Sequence, residues 1–290
     1  MSSPVALRSG VGWRRRLTNH LATAAAATTA VLVVAPLVAV LLYLVIRGIG
    51  SVNLAFLTKP PAPVGENGGG MGNAIAGSMM LVALASLLGV PLGVGAGIFV
   101  AEFPRGPLPK YVRFTADLLN GVPSIVIGMA VYALMVLRQK HFSALSGGVA
   151  LGIMMIPTIA RATEEMLLMV PMTIREAAYG LGIPRWRATL SITLRTAAPG
   201  VITGIMLAFA RVAGETAPLL FTALGNQFWN WRPDRPTAAL PLQIYVYAQS
   251  AYDEWHRLAW AGALVLIILI VSTVALVRWV VRRGTFQGAY

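Results

Sequence analysis

The chain alternates between long apolar stretches and shorter polar segments. A helix needs about 20 mainly apolar residues to cross a hydrocarbon core roughly 30 Å thick. Six stretches meet this condition, so the pattern predicts an all-α membrane protein with six transmembrane helices. The predicted spans are residues 21–46, 73–100, 114–137, 145–169, 197–224 and 258–277.

The first span follows a basic leader, residues 1–20, which holds Arg14, Arg15 and Arg16. The leader is similar to the start of a signal peptide, but the apolar run behind it is longer than the about 7–15 residues of a signal-peptide core. We interpret this run as a retained anchor. A single transmembrane domain then covers residues 21–283, and residues 284–290 form a C-terminal tail.

Composition agrees with a membrane protein. Of the 290 residues, 57% are hydrophobic and 11% are charged, whereas soluble domains carry about 25% charged residues. The absence of cysteine excludes disulfides and thiolate metal sites. Three histidines, His20, His141 and His256, lie far apart and predict no metal cluster. Glycines in the second span favour close helix packing over a substrate path.

The net charge of +13 would suggest nucleic acid as a partner if the chain were soluble. In a membrane protein, basic residues instead set the orientation, because loops rich in Lys and Arg stay in the cytoplasm. The side that holds both termini has 14 basic residues, and the opposite side has 7. We therefore predict a multi-pass protein of the bacterial cell membrane with both termini cytoplasmic, surrounded by lipid and without a nucleic-acid partner.

The segment 170–196 is the longest charged loop on the predicted cytoplasmic side. Residues 171–196 read PMTIREAAYGLGIPRWRATLSITLRT. The pattern predicts a short helix, a break at Gly182-Ile183-Pro184, and a second helix from Arg185 to about Leu194. By spacing alone the segment is either an amphipathic connector or a compact docking surface.

The same segment resembles the EAA motif of ABC-importer permeases, which is E-A-A, three residues, G, nine residues, I, one residue, L, P. Glu176, Ala177, Ala178 and Gly182 stand at that spacing, followed by Ile192 and Leu194. Arg195 replaces the final proline. The resemblance implies the type I importer permease fold and a loop that docks on a separate ATPase.

The chain has no ATP-binding loop of its own. Such a loop ends in Gly-Lys followed by Ser or Thr, and none of the three lysines, Lys59, Lys110 and Lys140, is followed by either residue. We expect a transporter subunit that is not an enzyme and binds no cofactor. ATP and magnesium would then be bound by the partner ATPase.

Two arginines fall inside predicted spans, where each costs roughly 2.5–3.5 kcal/mol at the centre of a helix. Arg161 precedes Glu164 and Glu165, and Arg211 precedes Glu215 by one turn. Arg211 and Glu215 could form a structural ion pair, although this order of charges is the less favourable one. Alternatively, both guanidiniums face one solute path and bind an oxyanion there. We interpret Asp117 and Asn120 as solvated polar residues near the inner boundary.

The sequence around these charged residues resembles that of the phosphate-importer permeases of PstA type. The similar segments are GVPSIVIG at 121–128, IPTIARATEEML at 156–167 and ARVAGETAPLLF at 210–221. The resemblance implies that Arg161, Arg211 and Glu215 take part in phosphate translocation. It also implies a homologous second permease, two ATP-binding cassette subunits and an extracytoplasmic phosphate-binding protein as partners.

Other functions stay open at this point. A permease of the same fold could carry sulfate, molybdate or phosphonate. A gradient-driven carrier would need no ATPase. An intramembrane enzyme would need a nucleophile and base or a metal cluster at membrane depth, and the sequence offers none.

Overall fold

The computed structural model describes residues 12–63, 66 and 68–286. Regular structure in these residues is almost wholly helical, and β-pairing is limited to two isolated bridges, Pro61 with Gly69 and Leu224 with Thr237. The predicted all-α class is confirmed. The helices are α1 Trp13–Gly48, α2 Leu54–Thr58, α3 Gly72–Glu102, α4 Pro107–Gly121, α5 Ser124–Gln139, α6 Ala144–Leu168, α7 Met172–Gly180, α8 Arg185–Ala213, α9 Ala217–Thr222, α10 Leu240–Ala248 and α11 Asp253–Phe286.

The chain divides into two compact units, Met1–Arg47 and Gly48–Tyr290. The first unit is essentially α1, whose 36 residues make it about 54 Å long. It contains the whole predicted first span, and its anchoring role stays a prediction. Residues 1–11 of the predicted leader and residues 287–290 of the predicted tail lie outside the described residues.

Five described helices, α1, α3, α6, α8 and α11, are long and apolar enough to cross a membrane. The pair α4 and α5 gives a sixth span if the two are counted together. Length and apolar character therefore agree with the predicted count of six, and the molecule is a multi-pass membrane protein.

The most extensive helix contact in the second unit joins α3 to α6. Glycines spaced four residues apart on α3 face α6 so closely that a Cβ atom at Gly93 would lie 2.7 Å from Cβ of Ile159. At Gly97 the same atom would lie 2.5 Å from Cβ of Thr163. Such small residues allow two membrane helices to approach backbone to backbone. The prediction that glycines of the second span serve packing is confirmed for those that face α6, but not for Gly95, where an added Cβ would meet nothing within 4 Å.

The third predicted span is not one helix, and this corrects the sequence-based boundaries. α4 ends at Gly121, and α5 begins at Ser124 at an angle of 105° to it. The physical reason is the Val122-Pro123 step, because proline disfavours helical geometry in the residue before it. Val122 takes an extended conformation with ψ 131°.

The fifth predicted span also has different boundaries. The predicted second helix of the 170–196 segment and the first part of that span form one continuous helix, α8, which includes a π-helical turn at Thr189–Thr193. α8 ends at Ala213 rather than Leu224. Gly214 and Thr216 interrupt it, and α9 restarts with Pro218 in its first turn.

The segment between α9 and α10 is non-helical and caps α6. The first backbone amides of a helix have no partner within the helix. Here the amide of Ser143 donates to the carbonyl of Thr222 at 3.0 Å, and the amide of Ala144 donates to the carbonyl of Arg235 at 2.9 Å. The amide of Leu145 donates to the carbonyl of Pro233 at 2.8 Å. These bonds fix the start of the helix that carries Arg161.

Candidate functional site

Arg161 lies near the end of α6, and its guanidinium holds two carboxylates. Nε and Nη2 donate to Oδ1 of Asp117 on α4 at 2.8 and 2.6 Å, and Nη2 also contacts Oδ2. Nη1 donates to Oε2 of Glu164, three residues on, at 3.1 Å. Arg161 is therefore the centre of a polar contact between two helices.

Glu164 is the buried member of this group, with 7% of its side chain exposed. Its second oxygen accepts a hydrogen bond from Nε of Arg113 on α4 at 2.5 Å. A carboxylate at such a depth is tolerated only if it is paired and hydrogen-bonded. We call Arg113, Asp117, Arg161 and Glu164 the charge cluster.

The pairing of two members of the charge cluster, Arg113 and Asp117, was not predicted from the sequence. Asp117 is more than half exposed, as expected of a solvated residue, but it also forms a forked ion pair with Arg161 that was not predicted. Arg113 was counted only as a loop charge. Their spacing of four residues was an available signal, since residues i and i+4 lie on the same face of a helix. Which partner that face would meet was not readable from one sequence.

Arg211 lies in the last turn of α8 and is exposed. Glu215 lies in the break after α8, where its amide donates to the carbonyl of Val212 at 3.1 Å. Within the described part of the chain, no hydrogen bond or ion pair joins Arg211 to Glu215 or to the charge cluster. The helix ends between them, so the one-turn spacing expected from sequence does not apply. Their role in translocation stays a prediction.

The 170–196 segment has the predicted helix, turn and helix. On α7, Glu176 and Ala177 are exposed, whereas Ala178 is 3% exposed. Gly182 follows with φ +77°, a left-handed conformation that glycine adopts without a steric penalty. Arg195, which replaces the motif's proline, is exposed on α8, and the helix runs through it without a break. The exposed face of α7 is available to a partner.

Arg175, next to Glu176, ties α7 to the membrane helices. Its guanidinium forms an ion pair with Glu102 at the end of α3, and both side chains are 11% exposed. It also donates from Nη2 to the carbonyl of Leu167 in α6 at 2.8 Å. The segment that resembles a coupling loop is thus fixed to the helices α3 and α6, and α6 carries Arg161.

Comparison with known proteins gives a consistent answer. Residues 93–285 match the family described as binding-protein-dependent transport system inner membrane component. A protein from Yersinia pestis named Phosphate transport system permease protein PstA is 43% identical over 272 residues, which cover 93% of this chain and 92% of that protein. A protein from Methanocaldococcus jannaschii named Probable phosphate transport system permease protein PstA is 35% identical over 252 residues, 87% and 89% of the two chains.

The fold is similar to that of a solved importer. A chain of the MetNI methionine ABC transporter, solved in inward facing conformations, superposes with a TM-score of 0.61 at 18% identity, over 74% of this chain and 96% of that chain. At that identity the likeness establishes the fold alone. It confirms the importer-permease fold expected from the sequence.

Proposed function

Because the chain belongs to the family of binding-protein-dependent transport system inner membrane components, we propose that it is a permease subunit that carries inorganic phosphate across the cell membrane in an ATP-driven importer. The observation that favours phosphate over other solutes as the substrate is the sequence identity of 43%, along 93% of the chain, to a phosphate transport permease. The charge cluster supports an oxyanion, since a guanidinium binds such groups through two parallel hydrogen bonds.

Energy comes from a separate ATPase in this proposal. Glu176 and Ala177 present an exposed face on α7, and Arg175 fixes that helix to α3 and α6. Movement of a docked ATPase would therefore reach the helix that carries Arg161. ATP and magnesium are bound by the partner.

The complex consists of this chain, a homologous second permease, two ATP-binding cassette subunits and an external phosphate-binding protein. Both termini face the cytoplasm, which the bias of 14 against 7 basic residues supports. ATP binding closes the ATPase pair and switches the pore from inward-open to outward-open.

Three residues carry the anion in this proposal: Arg161, Arg211 and Glu215. Arg161 stands in the charge cluster, and exposed Arg211 is left without a carboxylate partner in the described residues. An unpaired guanidinium is costly where it lies within the hydrocarbon region of a lone subunit. A pore wall or a partner subunit would provide the polar surroundings that it needs.

Uptake of radiolabelled phosphate by cells that lack this chain tests the function. High-affinity uptake should disappear and return with the wild-type chain, while labelled sulfate uptake stays unchanged. Normal phosphate uptake without the chain would contradict the proposal, and a selective loss of sulfate uptake would support a permease for that oxyanion.

The role of Arg211 is tested by Arg211→Gln. We expect at least about tenfold less phosphate uptake with intact assembly, because the variant loses the charge that binds an anion. Arg257→Gln, at an exposed arginine paired with Glu254, is the matched control. Lost assembly of the Arg211→Gln complex would instead indicate a structural role.

A further inference from the structure

Both donor edges of the Arg161 guanidinium are engaged in this structure. Asp117 takes the edge formed by Nε and Nη2, and Glu164 takes a donor on Nη1. An oxyanion bound by two parallel hydrogen bonds needs one of these edges. A carboxylate of the chain itself therefore stands where a transported anion would bind.

The two carboxylates are held very differently. Glu164 is 7% exposed, lies on the same helix as Arg161 and also accepts a hydrogen bond from Arg113. Asp117 is 54% exposed, lies on α4, and Arg161 is its ion-pair partner. Exchange of an exposed carboxylate costs little, because exposed ion pairs contribute only about 0–1 kcal/mol. Asp117 is the carboxylate that an incoming anion can replace.

The formal charge of the cluster also identifies Asp117 as the exchangeable carboxylate. The charge cluster contains two arginines and two carboxylates, so its formal charge is zero. If Asp117 moves away, the remaining three side chains carry one positive charge next to a free donor edge. A bound anion would then restore the balance. The cluster would therefore be neutral or nearly neutral in both states, with either Asp117 or the bound anion on the same edge of Arg161.

The position of Asp117 allows it to move. It lies one turn before the end of α4, and the break at Val122-Pro123 separates α4 from α5. The last turn of α4, which carries Asp117, can therefore shift relative to α6 while Arg113, one turn earlier, stays bound to Glu164. Short segments at helix ends that absorb backbone changes are the usual hinges of such shifts.

We propose that Asp117 is a resident carboxylate that occupies Arg161 when no anion is bound and exchanges with the transported oxyanion. The inference rests on the proposed phosphate transport. Competition from Asp117 lowers the affinity of Arg161 for phosphate, and its return to Arg161 speeds release. Conduction requires that a site bind its solute weakly enough to let it go.

Equilibrium binding of labelled inorganic phosphate to the purified whole complex, without ATP or binding protein, tests the competition. Asp117→Asn should bind phosphate about tenfold more tightly than wild type, because no charged group has to be displaced. Its maximal uptake rate in proteoliposomes should fall together with KM. Asp234→Asn, at an exposed aspartate paired with Arg232, should behave as wild type.

Two results of this experiment would overturn the inference. One is phosphate binding by the assembled Asp117→Asn complex that is unchanged or weaker. The other is tighter binding that persists in the double variant Asp117→Asn/Arg161→Gln, since the effect would then not pass through Arg161. Asp117→Glu, which keeps the charge, should return the affinity toward the wild-type value.

A second measurement does not depend on the folding of Asp117 variants. Thr158 on α6 donates to Asn120 on α4 at 3.4 Å, and the chain has no cysteine. In Asn120→Cys/Thr158→Cys, a short bis-maleimide, which adds one cysteine thiol at each end, would tie the two helices together. We expect at least about tenfold less phosphate uptake after bridging, and no loss in either single variant. Full uptake after bridging would contradict the movement of α4.

Uptake by the wild-type complex separates this inference from the proposed function. If the wild-type complex carries phosphate but the Asp117→Asn complex binds phosphate as the wild type does, only the proposed role of Asp117 is contradicted. A wild-type complex that carries labelled sulfate instead would contradict phosphate as the substrate. The same binding comparison with sulfate would then decide on Asp117.

Discussion

Glu164 is held by guanidiniums from two helices, Arg113 on α4 and Arg161 on α6. Each of these arginines would lose a charged partner if the carboxylate were removed. The carboxylate is nearly buried and the two arginine side chains are about one third exposed, so water replaces the lost interactions only in part. Glu164 is therefore the structural member of the charge cluster, whereas exposed Asp117 is the exchangeable one.

Glu164→Gln should destabilise the protein by about 1–3 kcal/mol, since two guanidiniums lose a charged hydrogen-bond acceptor. We expect a lower melting temperature and less assembled complex in membranes. Glu165→Gln, at the exposed neighbouring position, is the matched control and should leave both unchanged. Equal stability of the two variants would show that Arg113 and Arg161 do not depend on Glu164.

At the scale of elements, α3 and α6 form the rigid pair against which other parts are fixed. The glycines of α3 bring the two helices close, and the loop between α9 and α10 caps the start of α6. α4 and α7 then attach to this pair through charged side chains rather than through a wide apolar surface. Of these contacts, only the exposed pair of Asp117 with Arg161 can break and re-form at low cost, whereas the pairs of Glu164 with Arg113 and of Arg175 with Glu102 are nearly buried.

The close packing is tested by Gly93→Ala compared with Gly95→Ala. An added Cβ at Gly93 would meet Ile159 at 2.7 Å, while at Gly95 nothing lies within 4 Å. Overpacking typically costs about 1–3 kcal/mol, so only Gly93→Ala should lower the melting temperature of the purified protein. A stable Gly93→Ala variant would contradict the packing described for α3 and α6.

The ion pair between Arg175 and Glu102 is expected to transmit movement between α7 and the membrane helices. Arg175→Glu should uncouple the complex, so that ATP hydrolysis persists while phosphate uptake falls about tenfold or more, because two like charges would then face each other. The exchanged pair Arg175→Glu/Glu102→Arg should recover uptake. Failure of the exchange to recover any uptake would indicate that the bond from Arg175 to Leu167, rather than the ion pair, is essential.

At the scale of the whole molecule, we propose that the exposed face of α7 is the surface by which the chain joins its ATPase. Glu176→Arg should reduce the amount of ATPase that co-purifies with the permease about tenfold or more, because the reversed charge lies within the docked surface. Glu254→Arg makes the same change at an exposed site on α11 and should have no effect. Equal co-purification would mean that the ATPase docks elsewhere.

Hydropathy and one loop motif were sufficient to predict the fold class and the importer family. The span boundaries were harder, because proline acts differently in different surroundings. Pro91 and Pro157 lie inside α3 and α6, where packed neighbours satisfy the freed backbone groups. Pro123 ends a helix instead, after Gly121. A single sequence does not show which prolines have packed neighbours.

The candidate site was predictable only in part for a similar reason. Arg161 was identified because a charge in an apolar stretch is unusual. Its partner Asp117 lies 44 residues away in sequence, and Glu102 lies 73 residues from Arg175. Helical periodicity relates residues three or four apart and carries no information about such distant pairs.

Because α8 is continuous, a small rotation at one of its ends displaces the other end by several ångströms. Arg185, at one end, belongs to the segment that we propose as the docking site of the ATPase, and Arg211 lies in the last turn at the other end. Arg211 follows Arg185 by 26 residues, which correspond to about 39 Å along the helix. A tilt of about 5° around one end would displace the other by about 3 Å, which exceeds the length of most hydrogen bonds in the protein. A modest rotation near the ATPase would thus be enough to bring Arg211 into reach of an anion or to withdraw it.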